Sequence, residues 1–560
     1  MKKIVALLLI GASTLGLSSC NDYLDETNKS GLTADTFYGT TTGIESLVNS
    51  TYTPLRFWYG KEGGATMTEL ATDLFLKGGD CHHPEIADMS SNFNSQSPII
   101  QVYWSRLYAA INYCNTAIEK IPTSTRPEAT KKLRLGEVYY LRAMYNWLIV
   151  ETWGGVHLST KPSVGVQTTS TRSSVDEFYN VIFADLDLAI ANLEGRKTHE
   201  GGRVTKPAAE AFKARMLLTR GKNTEAAALA KKVIADYNFK LFPNFTDLWD
   251  INNSEGSSNS EVIFYVNYST DNLLNTADSE FDGNSTANAF RPEGGNQLHL
   301  MFTPRYDFHA GMILDIPNSI GFQRYAATRR YLELFNSDID QRYDGTFKEV
   351  WKANGGKVGV YTNMIQGDTA VYWSHKVLSP AFKASKALKY EVKDINDLYN
   401  PDQSLVDFRN FIEMNKHNST TDRSAIFEFR SKRDAFVMRI AEMYLIAAEA
   451  EMKAGNLTEA AKYVNILRTA RAKAGKVAEM QVLPNQLTLD FMLEERGREL
   501  GGEQLRWFDL KRTGKLIEYV KAYNPNAKAN IKDFQLVRPI PQSHLDVITN
   551  KSEFQQNPGW

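Results

Sequence analysis

The most reactive arrangement in the sequence lies at its start. Lys2 and Lys3 precede an apolar run from Ile4 to Leu17, which ends in Leu17-Ser18-Ser19-Cys20. A basic lead, a short apolar core and small residues before a cleavage point make a secretory signal. The run is shorter than the ~20 apolar residues of a spanning helix. A nucleophilic sulfur at that junction is what bacterial processing acylates, so the segment resembles a lipobox. Cys20 is then the lipidated first residue, anchored to a membrane by its acyl chains rather than threaded through it.

Other reactive side chains carry weaker signals. Cys81 and Cys114 could bridge in an oxidising compartment, but Cys114 lies within a helical pattern, and two free thiols are expected. Cys81-His82-His83 sets three metal-ligating types in a row, yet adjacent ligands lack zinc-site spacing, so no metal is expected. Glu494, Glu495, Arg496 and Arg498 read as structural ion pairs, and Arg506, Lys511 and Arg512 as a solvated face. The phosphate-cradling G-x-x-x-x-G-K-[ST] loop, the H-E-x-x-H helix and the G-x-S-x-G elbow are absent from the sequence. Neither a cofactor nor catalysis is expected.

These groups need a scaffold, and the chain has material for one. Its 560 residues are 42% hydrophobic and 23% charged, with 64 Lys+Arg against 65 Asp+Glu. That composition excludes general disorder and offers no global attraction for nucleic acid. Length alone suggests about three or four domains, unless one large architecture takes up the whole chain. In Arg439–Ala454, Ile440, Met443, Tyr444, Ala447 and Ala448 share one helical face. Gly455 ends that helix, and Asn456 with Glu459 reads as the N-cap and reciprocating acid of the next. Gly221-Lys222-Asn223-Thr224-Glu225-Ala226-Ala227 repeats the grammar of Gly455-Asn456-Leu457-Thr458-Glu459-Ala460-Ala461 after an earlier helix, Ala208–Arg220. Two helical hairpins with one turn pattern resemble tetratricopeptide repeats. Further helices are expected at Ile99–Lys120, Lys131–Thr152, Val175–Leu193 and Leu489–Leu500.

Something large separates the two hairpins. Residues 236–436 begin with an Asn/Ser/Gly-rich stretch, hold one strand-like run at Val262–Tyr268, and contain one weak helix at Ala326–Asn336. Long irregular stretches on a rigid scaffold are where ligands are expected to bind. The organisation read from the sequence is a signal peptide over 1–19, a lipidated tether over 20–42, and a helical-repeat part over 43–235. A loop-rich insertion over 236–436 and a second helical-repeat part over 437–560 complete it.

Motifs along the chain support a family resemblance. After the lipobox come Asn21-Asp22-Tyr23-Leu24-Asp25, then Trp153-Gly154-Gly155-Val156-His157-Leu158 and Gly202-Arg203-Val204-Thr205-Lys206-Pro207-Ala208-Ala209. Arg439-Ile440-Ala441-Glu442-Met443-Tyr444-Leu445, Glu494-Glu495-Arg496-Gly497-Arg498-Glu499-Leu500 and Arg506-Trp507-Phe508-Asp509-Leu510 follow. The chain closes on Pro539-Ile540-Pro541 and Gln556-Asn557-Pro558-Gly559-Trp560. In this order the motifs resemble the SusD/RagB family of outer-membrane lipoproteins, with His157 where the family usually has proline.

The resemblance implies a mostly α SusD-like fold: a tetratricopeptide-type scaffold with a large loop-rich insertion and few short strands. It further implies an outer-membrane, lipid-anchored protein facing the cell exterior, which captures oligosaccharides and delivers them to a SusC-like TonB-dependent transporter. Peptide capture, as in RagB-like members, is the alternative, and a lipid-anchored glycosidase with paired carboxylates is a more remote one. Sugar capture calls for flat aromatic faces beside fixed polar groups. Among 26 Tyr, 28 Phe and 9 Trp, the loops supply the candidates. Asp73, His82, His83, Phe93 and Asn94 come from the first long loop. Phe290, Arg291 and Tyr306 come from the insertion, where His299, Phe302 and Phe308 lie nearby. Trp373 stands in a third cluster with Trp351, Tyr361 and Tyr372.

Overall fold

The computed structural model describes residues 34–195, 201–268, 295–420, 423 and 425–560; Cys20, Phe290 and Arg291 lie outside the described residues. Helices dominate, as the periodicity requires. They include Pro98–Lys120, Glu128–Trp153, Val175–Asn192, Lys206–Thr219, Asn223–Asp236, Ile440–Lys453, Leu457–Ala470 and Leu489–Leu500. Among the described residues no helix is long and apolar enough to cross a membrane.

The two hairpins share one stop signal. Gly221 and Gly455 sit at φ +70° and +86°, where a side chain would be strained. Around them, the Lys222 amide donates to Leu217 (2.9 Å) and the Gly221 amide to Leu218 (3.1 Å). The Asn456 amide donates to Glu451 (2.8 Å) and the Gly455 amide to Met452 (3.0 Å), so both helices end in the same Schellman turn. Asn456 departs from the expected cap. Its side chain turns back to Glu451 (2.7 Å), while Glu459 accepts from Lys231 of the other hairpin (3.2 Å). That contact reflects the packing: Asn223–Asp236 lies directly against Ile440–Lys453, so hairpins distant in sequence are neighbours in space.

The insertion is pinched at its neck. Strand β1 is Phe75–Lys77, β2 is Val262–Val266 and β3 is Tyr325–Ala327; β4 to β8 are Phe347–Lys348, Val350–Lys352, Thr369–Trp373, Glu391–Lys393 and Glu413–Met414, and β9 is Ala435–Arg439. β2 on the way out pairs antiparallel with β9 on the way back, register Val262↔Arg439 to Val266↔Ala435. β3 returns to pair with β1, Phe75↔Ala327, which ties the insertion to the N-terminal part. The expected helix Ala326–Asn336 is therefore shorter. Its first residues are spent on β3, and Thr328 caps a helix over Arg329–Glu333, its hydroxyl accepting from the Tyr331 amide (3.0 Å).

A buried ionic cluster fastens the neck to the C-terminal part. Glu495 and Glu499 of the helix Leu489–Leu500 are fully buried. Glu499 meets Arg471 (2.9 Å), Arg439 (3.2 Å) and Arg342 (3.4 Å), while Glu495 meets Arg342 (2.9 Å), Arg468 (2.7 Å) and Arg498 (2.9 Å). Glu261, at the start of β2, pairs with both Arg439 and Arg471. The expected solvated face at 506–512 is a second buried set. Arg506 grips both oxygens of Asp73 (2.7 and 2.6 Å), Arg512 grips Glu449, and Lys511 meets Glu151 (3.0 Å). The basic side chains turn inward because each finds a buried carboxylate from a remote segment.

Cys81 and Cys114 are both free thiols. Burial pushes the Cys81 thiol up to about 12 and the Cys114 thiol higher still. A thiol reagent at pH 8 should label both only after unfolding; rapid labelling of the native chain would contradict this placement.

Burial alone would raise the Glu499 carboxyl, but the guanidiniums of Arg471, Arg439 and Arg342 outweigh it and hold the group far below its usual 4.5. A depressed folded-state carboxylate stabilises the fold above its unfolded value, and that stability is lost as pH falls below it. The Glu499 contribution to unfolding free energy should therefore hold from pH 7 to about 4.5 and drop below that. Glu499→Gln should cost about 3–5 kcal/mol at pH 7, because it removes a carboxylate that three buried guanidiniums share, and should reduce the acid dependence. Chemical denaturation of both proteins at pH 7 and pH 3 measures this; equal stability at pH 7 would contradict it.

Candidate ligand-binding face

The β1–β3 ribbon carries loops that meet on one face. At its end the Gly78 amide donates to Arg324 (3.1 Å) and the Asp80 amide to Gln323 (3.3 Å). The segment 305–309 lies alongside, its Arg305 amide donating to Arg409 (3.1 Å). A side chain at Gly79 would meet Gln323, Phe408 and Arg409, which shows how closely the three loops approach.

Two of the loops on this face bury one aromatic ring and expose another, and one exposes a single ring. Tyr306 is fully buried; its hydroxyl donates to the Ser319 carbonyl (2.6 Å) and accepts from the Asp315 amide (3.2 Å). With Tyr306 held, Phe308 is left 59% exposed. The Arg305 guanidinium sits 3.6 Å from the centre of the Phe308 ring and is fixed by Asp307 through two bonds (2.8 and 2.7 Å). On the neighbouring loop Phe408 is 44% exposed, beside an Arg409 held by Asp407 (3.1 and 3.0 Å). The third loop buries Phe429 against Phe322 (5.3 Å between centroids) and exposes Phe427 at 68%, with Glu428 gripping Arg430 (2.7 Å).

His309 locks two of these loops to the insertion's sheet. Its Nδ1 faces Glu391 (2.5 Å) on β7, and its Nε2 faces the Asn410 side-chain oxygen (3.0 Å). The Asn410 amide in turn donates to Asp407 (3.2 Å). Burial would raise the Glu391 carboxyl, but the hydrogen bond and charge of His309 prevail and hold it at about 2.

The residues expected from sequence fall in several places. Asp73 is buried and spent on Arg506. Phe93 is buried edge-on against Trp560, with centroids 5.3 Å apart. Trp373 is buried against Trp351 (4.9 Å) and donates its indole N–H to Glu391 (3.2 Å). Tyr306 is the anchor beneath Phe308. Rings with no accessible surface cannot stack on a ligand, so Phe93, Trp373 and Tyr306 act in the core or below the face, as does the buried Asp73 carboxylate. Asn94 is exposed but builds a turn, accepting from the Gln96 amide (2.9 Å). His82 comes to the edge of the face, 3.3 Å from a Glu62 that also pairs with Arg324 (3.1 Å). His83 pairs with Glu85 (3.3 Å). Phe290 and Arg291 fall outside the described residues.

Phe408, Phe427 and the arginines of the face were not expected from sequence. A signal existed: Asp407-Phe408-Arg409 and Glu428-Phe429-Arg430 set an acid and an arginine around a ring, and both form the i,i+2 ion pair.

A cavity lined by Trp249, His417, Arg433, Asp434 and Glu503 encloses about 10 Å³, room for about one water and no sugar ring. Among the described residues, no group of three or more His, Cys, Asp or Glu side chains is placed to hold a metal ion.

The chain is similar to known proteins along most of its length. Residues 260–560 match the model of the SusD family, and residues 22–218 match a model described as starch-binding associating with outer membrane. A SusD-like protein, P25, of Formosa agariphila is 24% identical, over 94% of each chain. The crystal structure of a SusD homologue from Bacteroides thetaiotaomicron superposes with a TM-score of 0.72 at 18% identity, over 94% of this chain and 98% of that one. Surface glycan-binding protein A from Bacteroides thetaiotaomicron, solved in complex with laminarihexaose, gives 0.64 at 21% identity, over 92% and 99%. These structures share the mostly α fold. With one family model covering more than half of the chain and the fold shared along its length, the protein belongs to the SusD family.

Proposed function

We propose that the protein is a non-catalytic, lipid-anchored glycan-binding protein of the outer-membrane surface, which captures oligosaccharides and passes them to a SusC-like TonB-dependent transporter. The observation that carries this reading is the face on which Phe308, Phe408 and Phe427 stand exposed beside fixed guanidinium–carboxylate pairs. Exposed flat rings supply apolar area for the C–H faces of pyranoses at little conformational cost, and the fixed polar groups meet hydroxyls. The starch-binding description of the matched family model and the laminarihexaose bound to a structural neighbour support a glucan as the first ligand to try. The lipobox at Cys20 supports the anchor.

Isothermal titration with laminarihexaose and maltoheptaose is the direct test, with binding of at least one expected. Phe308→Ala with Phe408→Ala should weaken that binding about tenfold or more, ~1.4 kcal/mol, with an unchanged melting temperature. Unchanged affinity would remove this face from the site. In cells, Cys20→Ala should abolish incorporation of labelled palmitate and release the protein from the membrane fraction; retained label would contradict the anchor.

A further inference from the structure

Among the described residues of the face, Arg305, Arg324, Arg409 and Arg430 each pair with a carboxylate. Asp307 holds Arg305 and Asp407 holds Arg409, each through Nε and Nη2, the fork geometry that a bound carboxylate or sulfate would itself use. Arg324 is buried between Glu62 and Asp80, and Asp80 is exposed at the edge of the face. Arg430 is gripped by Glu428. Hydrogen bonding to Arg409 lowers the Asp407 carboxyl from its ordinary value, so it is ionised at neutral pH.

We propose that Asp307 and Asp407 are specificity residues that fit this face to neutral glycans and reject chains bearing carboxylate or sulfate groups. The proposal rests on the reading that this face binds glycan, and adds the charge class of the ligand. An anionic sugar reaching Arg305 or Arg409 must displace an intramolecular carboxylate that already fills the fork, or sit beside it as a like charge. Discrimination of this kind comes from a built-in repulsion rather than from a better contact. A neutral sugar meets no such penalty. A guanidinium has five N–H donors and the fork uses two, while an ionised carboxylate has about four lone-pair sites. The Arg305–Asp307 pair therefore still offers a donor and an acceptor side by side, which suits vicinal hydroxyls, whereas Asp407 already accepts four bonds, from Arg409 and Asn410, and that pair offers the remaining Arg409 donors. Phe308, one face covered by Arg305, and Phe408, next to Asp407 and Arg409 in the chain, supply apolar surface beside the two pairs.

The test compares laminarin with sulfated laminarin, by titration at 20 mM and 200 mM NaCl. Wild type should bind laminarin at least tenfold more tightly than the sulfated form. Asp407→Asn and Asp307→Asn, isosteric changes that free a guanidinium, should each tighten sulfated-laminarin binding threefold or more. The gain should fade at the higher salt, where exposed charges are screened. Arg409→Ala, which leaves Asp407 in place, should keep the discrimination, and melting temperatures report whether each variant is folded. Equal or tighter binding of sulfated laminarin by wild type, or a ratio unmoved in both asparagine variants, overturns the proposal alone. If neither form binds, and maltoheptaose and its sulfated form do not bind either, the glycan reading falls and this inference with it.

Discussion

The structure depends on a buried cluster of charges that no single segment can complete. Glu499 and Glu495 come from a C-terminal helix, Arg439 from the end of β9 and Glu261 from the start of β2. Arg342 comes from within the insertion and Arg471 from the end of the second hairpin. A lone buried charge is costly, and removing one partner from such a set leaves the others uncompensated. The cluster therefore admits one arrangement: both strands of the neck, the insertion and the last helices arrive together or the charges stay unmatched. This accounts for how a chain interrupted between its two hairpins still stacks them side by side. The ribbon returns the chain to its starting point, and the cluster fixes its register.

The binding face inherits that rigidity one layer out. The β1–β3 ribbon, the 305–309 turn and the 406–410 loop are held by backbone hydrogen bonds and by His309. Within two of the loops a buried ring serves as the anchor and a neighbouring ring is left outside: Tyr306 beside Phe308, Phe429 beside Phe427. The anchored residue fixes the backbone from which the exposed ring projects, and Phe308 is further oriented by the Arg305 guanidinium over its ring. Pre-organised rings lose little freedom when a ligand arrives, which is what capture of a weakly adhesive molecule requires.

Helices were legible in the sequence where one face repeats at 3.6 residues, and the shared Schellman turn was legible because only glycine sits easily at that φ. The Glu495–Arg498 ion pair could be read because one helix supplies both signs three residues apart, whereas the partners of Arg496, Glu442 and Asp509, come from other helices. Arg506 and Arg512 were misread as solvated because their partners are remote: Asp73 lies 433 positions from Arg506. The same limit governs the face. Tyr306 and Phe308 sit two residues apart in one loop, yet one is buried and the other exposed, and no local pattern separates them. Asp-Phe-Arg and Glu-Phe-Arg predict the ion pair but not the ring, since Phe408 faces outward and Phe429 inward. Which ring is exposed is decided by what packs beneath it, and that is tertiary information.

The two kinds of ion pair in this protein differ in range, and the difference separates scaffold from specificity. In the core, Glu499, Glu261 and Asp73 take arginines from segments far apart, so those pairs are part of the fold and cannot change alone. On the face, Asp307 with Arg305 and Asp407 with Arg409 are two residues apart in the same loop, exposed or half-buried, and worth little to stability. Such a pair can be opened by one substitution while the loop keeps its anchor. The charge that a ligand meets is therefore set by residues whose loss the fold tolerates, on a support whose charges it cannot spare.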